Sequence, residues 1–200
     1  MNIIHPFPNG TLPTVGRLLS GRQSGLSTNR RRSVIASGGA SYTLEETFGT
    51  DTSNGSNIGN NVNRVYVSSQ VTAADTYTLT KLALRILRVD GGGSAPNLVA
   101  EIRSDSTGSP GSVLAESTNT VLSAEVGTSM QWVDFLFAGL SITSTTVYWL
   151  GLRCSTSDAS NYYTFRGGAI SSGAVSSSSN GLAWSGLSSR QWYQQTFSSP

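Results

Sequence analysis

The sequence predicts an all-β protein, an antiparallel two-sheet β-sandwich of jelly-roll type, carrying an extended N-terminal arm. Three observations predict it. Short runs that alternate apolar and polar residues recur from residue 44 onward, punctuated by Gly, Pro, Asn, Asp and Ser, the pattern of half-buried strands and tight turns. No segment holds a helical period. Charge is divided unevenly: the first 44 residues have no Asp or Glu but carry Arg17, Arg22, Arg30, Arg31 and Arg32, so that a net charge of +2 splits into +5 and −3.

Residues 1–40 form the arm. Pro6, Pro8 and Pro13 fix φ and bias their predecessors to extended backbone, and frequent glycines break any helix. Apolar residues, among them Phe7, Leu18 and Leu19, are scattered without period. Ordering ~40 residues costs about 40 kcal/mol, which takes roughly 1,600 Å² of apolar burial to offset. Such a segment cannot build that core alone, so its shape is expected to come from a partner surface.

Residues 41–200 form the sandwich domain. Leu44–Phe48 reads as its first strand, followed by a turn-forming stretch from Asp51 to Asn57. Arg64–Val71 alternates Val65, Val67 and Val71 against polar positions. Tyr77–Val89 is longer, with Leu82, Leu84 and Ile86 on one face and Lys81, Ala83 and Arg85 on the other, and ends in the loop Asp90–Ser94. Leu98, Ala100 and Ile102 then alternate with Val99, Glu101 and Arg103. Ser109-Pro110-Gly111 reads as a turn, because Pro presets φ and Gly accepts a positive one. Val113–Ser117 and Val121-Leu122 are short strand pieces. Trp132–Phe137 turns Val133, Phe135 and Phe137 to one face, and Val147–Arg153 does the same with Tyr148, Leu150 and Leu152. Tyr162–Arg166, Leu182–Trp184 and Gln191–Phe197 finish the series, with a Ser/Gly-rich loop expected over 171–181.

Composition narrows the chemistry. His5, in the arm, is the only histidine and Cys154 the only cysteine. Nucleophilic catalysis through an imidazole base, a Cys/His metal cluster and an intramolecular disulfide are therefore not expected. Cys154 reads as a small core residue. The domain acids read as solvated surface charges, Asp90 and Asp105 in turns and Glu101 and Asp134 on outward strand positions, and no catalytic residue, metal or cofactor is expected. The start of the chain lacks a basic region followed by an apolar stretch, so no secretory leader is expected. No apolar run approaches the ~18 residues of a membrane span. A glycan platform needs exposed aromatic faces beside polar side chains, and Tyr162, Tyr163, Trp184 and Trp192, with Tyr193, Asn161 and Gln191 nearby, are the candidates. Alternation turns about half of such rings to the core. The Arg30-Arg31-Arg32 run lacks interleaved aromatics, which favours an acidic protein partner over nucleic acid.

Several stretches carry a resemblance. They are Tyr77–Ile86, then Glu101-Ile102-Arg103-Ser104-Asp105 running on to Gly108-Ser109-Pro110-Gly111 and Leu114-Ala115, with Trp132–Phe137, Thr146–Leu150 and Asn161-Tyr162-Tyr163. Together they resemble the "choice-of-anchor" β-sandwich modules of phage structural proteins and bacterial surface proteins, over about residues 45–197. The resemblance implies a jelly roll without a catalytic set. With the basic arm, it implies a phage virion protein, made in the host cytoplasm and displayed on the particle surface. The expected role is a head decoration (cement) protein, a trimer, whose arm residues Phe7, Arg17, Leu18, Leu19, Arg22 and Arg30–Arg32 bind the major capsid protein or another virion protein. The alternative is a carbohydrate-binding receptor-recognition module of a tail or fibre. Neither reading involves a membrane.

Overall fold

The computed structural model describes residues 32–34, 41–169, 174–188 and 190–199. Their strands are β1 (Arg32–Val34), β2 (Tyr42–Phe48), β3 (Ser53–Ile58), β4 (Tyr66–Thr72), β5 (Tyr77–Val89), β6 (Leu98–Ser106), β7 (Ser109–Glu116), β8 (Gln131–Ile142), β9 (Val147–Cys154), β10 (Tyr162–Ala169), β11 (Val175–Ser178), β12 (Ser185–Ser188), β13 (Arg190–Trp192) and β14 (Gln194–Ser198). Two short 3₁₀ turns, Val62–Arg64 and Ser123–Glu125, are the helical elements among them.

The strands make two antiparallel sheets. One runs β1-β2-β14-β5, with β8 on the other flank of β5 and β10 taking over from β14 further along β5. The other runs β12-β11-β4-β9-β6-β7. Take β2, β4, β5, β6, β7, β8, β9 and β14 as first to eighth. The first, eighth, third and sixth then lie side by side, facing the second, seventh, fourth and fifth. That is jelly-roll order. The segment β10–β13 is inserted before the last of these strands and widens both sheets, β10 holding β3 and β13 in one while β11 and β12 extend the other beyond β4.

The core lies between the sheets and is built by alternation. Leu82, Leu84 and Ile86 meet Val133 and Phe135 from β8 and Leu98, Ala100, Ile102, Leu150 and Leu152 from the opposing sheet, all buried. Burying each such aliphatic side chain contributes about 1.5–3 kcal/mol. β8 bulges opposite the step from Leu79 to Lys81, where Gly139 sits at φ 114°. The irregularity lets Leu79 and Leu82, an odd number of residues apart, both point inward. Cys154 is buried as expected, and burial pushes its thiol up to about 11.

Local chemistry shifts several expected boundaries. The turn expected at Ser109-Pro110-Gly111 lies two residues earlier. Thr107 and Gly108 take positive φ, 51° and 81°, and form a two-residue hairpin between the paired Ser106 and Ser109. Asp105 braces it by accepting the Gly108 N–H at 3.1 Å. Pro110 instead lies in edge strand β7, where a missing donor is tolerated. The turn expected over Asp51–Asn57 gives way to β3 from Ser53 onward, because β10 offers a ladder to its backbone. The Ser/Gly stretch expected to be a solvated loop holds β11, whose four residues are buried between β4 and β12. The strand expected at Leu182–Trp184 is a bend instead, and β12 begins at Ser185. The loop after β5 stays a loop. The Asn161 side-chain oxygen accepts the Gly91 and Gly93 N–H groups at 2.9 and 3.0 Å, and a Cβ at Gly93 would lie 2.7 Å from that amide.

Arg32–Val34 falls inside the segment read as arm, yet it pairs with β2, Arg32 opposite Leu44 and Val34 opposite Tyr42. These three residues therefore belong to the domain's own sheet at its edge. Residues 1–31, which precede that edge strand, lie outside the described residues, and with them Phe7, Arg17, Leu18, Leu19, Arg22, Arg30 and Arg31.

Candidate functional site

The four aromatics nominated for a glycan platform do not come together. Tyr163 is buried, and its hydroxyl donates to the Pro96 carbonyl at 2.7 Å. Burial raises its pKa above the ordinary phenol value. Trp192 is also buried, stacked on Phe165 at 4.5 Å and 14°. Both rings are core, so neither offers a face to a ligand. Tyr162 is half-buried at the far end of β10, opposite Val89. Trp184 packs edge-on to Tyr66 at 6.4 Å. Asn161 is a loop clamp, its amide donating to Asp158 at 2.8 Å.

Trp184 belongs to a closed cluster on the outer face of the β4-β9-β6 sheet. Glu101, expected to be solvated, and Arg103 are both buried there. The Arg103 guanidinium donates from Nε to Glu101 Oε2 at 2.8 Å and from Nη1 to the carbonyls of Gly111 and Gly181 at 3.0 and 3.1 Å. It lies 5.1 Å from the Trp184 ring and 6.0 Å from that of Tyr66. Arg153 reaches the other oxygen of Glu101 at 2.9 Å and Glu116 at 3.1 Å. The physical reason for the burial is the bend after β11, which brings Gly181 and Trp184 over this face. Beside the cluster Trp149 is buried too, donating from Nε1 to Asp105 at 2.8 Å. Burial pushes the Asp105 carboxyl up, but bonds from Trp149, Gly108 and Gln70 outweigh it and hold the group below the usual range.

The outer face of the other sheet is open, and it carries the candidate site. β8 alternates Val133, Phe135 and Phe137 into the core, which turns Trp132, Asp134 and Leu136 outward. Trp132 is 36% exposed. On its β5 side Arg85 stands 5.8 Å from the indole and the Tyr193 ring 5.0 Å away, tilted by 49°. Arg85 is held in turn by Asp51 at 3.7 Å, which also pairs with Arg166 at 3.2 Å. On the free-edge side of β8 lies an open groove of ≈ 290 Å³, lined by Asn119, Val121, Glu125, Gln131, Trp132, Val133 and Asp134.

The groove's polar walls are fixed in place. Asn119 accepts the Leu136 N–H at 2.7 Å and donates to the Asp134 carbonyl at 3.2 Å, which also blocks this part of the β8 edge from pairing with another strand. Gln131 donates to the Glu125 carbonyl at 2.8 Å and accepts from the Gly127 N–H at 3.2 Å. Glu125 accepts the Leu122 N–H through Oε2 at 2.6 Å, and Asp134 meets Lys81 through Oδ2 at 3.3 Å. Lys81 is itself positioned by the rings of Tyr42 and Phe197, 4.6 and 4.1 Å from its ammonium. The sequence carried a signal for this face, since the alternation that sends Val133 inward sends Trp132 outward. No trio of His, Cys, Asp or Glu among the described residues is placed to hold a metal ion. Compared with family models, curated proteins and solved structures, the chain matches none of them.

Proposed function

We propose that this chain is a non-enzymatic structural protein of a tailed-phage virion, a head decoration protein whose N-terminal segment binds major capsid subunits while the sandwich sits on the particle surface as a trimer. One observation carries the reading. A segment with four arginines and no carboxylate joins a self-contained jelly roll through a short edge strand, β1 on β2. Its cations suit acidic patches between capsid subunits. The resemblance to choice-of-anchor modules of phage particles agrees with this. The test is deletion of residues 1–31, leaving β1 in place, followed by co-sedimentation with capsids of the encoding phage stripped of the protein. Binding through several subunits should fall by about a hundredfold as that avidity is lost. Occupancy equal to that of the full chain would remove the proposal.

A second reading, a carbohydrate-binding module of a tail or fibre, is favoured by the open groove beside Trp132. That groove lies at the β8 edge of its sheet, and β1 lies at the opposite edge.

A further inference from the structure

We propose that the groove between β8 and the Asn119–Glu125 segment binds a neutral pyranose unit of an oligosaccharide, with Trp132 as the stacking face and Glu125 and Asp134 as acceptors for its hydroxyls. The inference rests on the second reading above and not on the docking role, which the co-sedimentation experiment tests separately.

Three features point to this ligand class. Trp132 is the one tryptophan with an exposed side chain among the described residues, as Trp149 and Trp192 are buried and Trp184 is partly covered. An indole 36% exposed beside polar groups suits a ligand that has an apolar C–H face and a hydroxylated rim. The groove, at ≈ 290 Å³, lies just under the ~300 Å³ at which sites for drug-sized ligands begin, which is room for one or two sugar rings.

The third feature is the donor–acceptor balance. The Asn119 and Gln131 amides are pinned by backbone partners, so the walls need little ordering when a ligand arrives. Leu122 and Lys81 engage Glu125 Oε2 and Asp134 Oδ2, so the second oxygen of each carboxylate remains to accept. Two carboxylates with spare acceptor capacity call for a ligand that donates, as hydroxyls do. The same pair repels an anionic sugar.

The test is saturation-transfer NMR on the full chain with maltose, cellobiose and N,N′-diacetylchitobiose, and with N-acetylneuraminic acid as the anionic control. At least one neutral disaccharide should show transfer at ~10 mM, the weak affinity expected of a single shallow subsite. Trp132→Ala should lower that affinity about tenfold, and the anionic sugar should give no signal. Trp132 is not a core residue, so the variant should keep a cooperative thermal transition, lowered only by the lost contact with Tyr193. Should it fail to fold, Asp134→Ala supplies the same reading from a half-exposed position. The proposal is overturned if no neutral disaccharide shows transfer to the full chain, or if binding is unchanged in the folded groove variant. It is equally overturned if N-acetylneuraminic acid binds as well as the neutral sugars.

Discussion

Two faces of this molecule carry the same four groups, an arginine, a tyrosine, a tryptophan and a carboxylate, and put them to opposite use. On the six-stranded sheet, Arg103 sits among Tyr66, Trp184 and the carboxylate of Glu101. On the eight-stranded sheet, Arg85 sits among Tyr193, Trp132 and the carboxylate of Asp51, which bonds to Arg166 as well. The Arg103 side chain is 7% exposed and that of Arg85 is 28% exposed. The difference is the bend after β11, which brings the Gly181 carbonyl onto Arg103 and removes water from the cluster. Covered, an arginine–aromatic group is structural. Uncovered, it leaves an indole and a groove for something else to occupy.

The sharpest way to break this comparison is to remove the closed arginine. Arg103→Ala leaves Glu101 buried with Arg153 as its remaining cation and strips bonds from the Gly111 and Gly181 carbonyls. Breaking a buried pair from one side costs about 3–5 kcal/mol, which should appear as a large drop in urea midpoint. Arg103→Lys keeps the charge but not the fork that serves three acceptors, so it should fall between the two. A loss under about 1 kcal/mol, the range of surface pairs, would mean that the cover over this face is loose.

Alternation made the core legible. Leu82, Leu84 and Ile86, or Val133, Phe135 and Phe137, could be assigned inward from spacing alone, and their burial is what the structure has. The outer faces were not legible in the same way. Glu101 and Arg103 occupy outward positions, and only the distant bend at Gly181 decides that they are dry. No local pattern encodes that contact between residues 78 positions apart. The Asp51–Asn57 stretch has turn chemistry, and its strand exists because the β10 edge was there to be paired. At the candidate site half of the signal was present. The rule that placed Val133 in the core placed Trp132 outside, but the groove depends on the loop carrying Asn119 and Glu125, which spacing along β8 does not show.

A smaller effect separates the two sheets by pH, through Glu46 in β2 and Asp105 in β6. Burial raises the Glu46 carboxyl above its ordinary value of 4.5, although the Ala74 and Asp75 N–H groups donate to it. The folded protein then holds that proton more tightly than the unfolded chain does. The contribution of Glu46 is therefore full below about pH 4.5 and is lost as pH rises through the higher folded value. Asp105 runs the other way. Its lowered value means that its stabilisation is present above the ordinary Asp range and is lost as pH falls through the folded value. Glu46→Gln should thus gain on the wild type as pH is raised from about 4 to about 8 in urea melts. A difference that stays constant over that range would contradict the assignment.

The smallest expected effect is the most diagnostic for the open face. Arg85 meets Asp51 at 3.7 Å in partial solvent, and Asp51 keeps Arg166 when Arg85 is gone. A surface pair of this kind contributes about 0–1 kcal/mol, and an exposed cation over an indole about 0.5–1 kcal/mol. Arg85→Ala should therefore cost no more than about 2 kcal/mol, and the Arg85→Ala/Asp51→Ala cycle should show coupling that shrinks further at high salt. The same change removes one prop from Trp132 while Tyr193 remains 5.0 Å away, so Trp132 fluorescence should shift toward a more solvated indole without loss of the fold. A cost approaching that of Arg103→Ala would make the two faces equivalent. Trp132 would then be packed structure, and the groove beside it would lose its claim to a ligand.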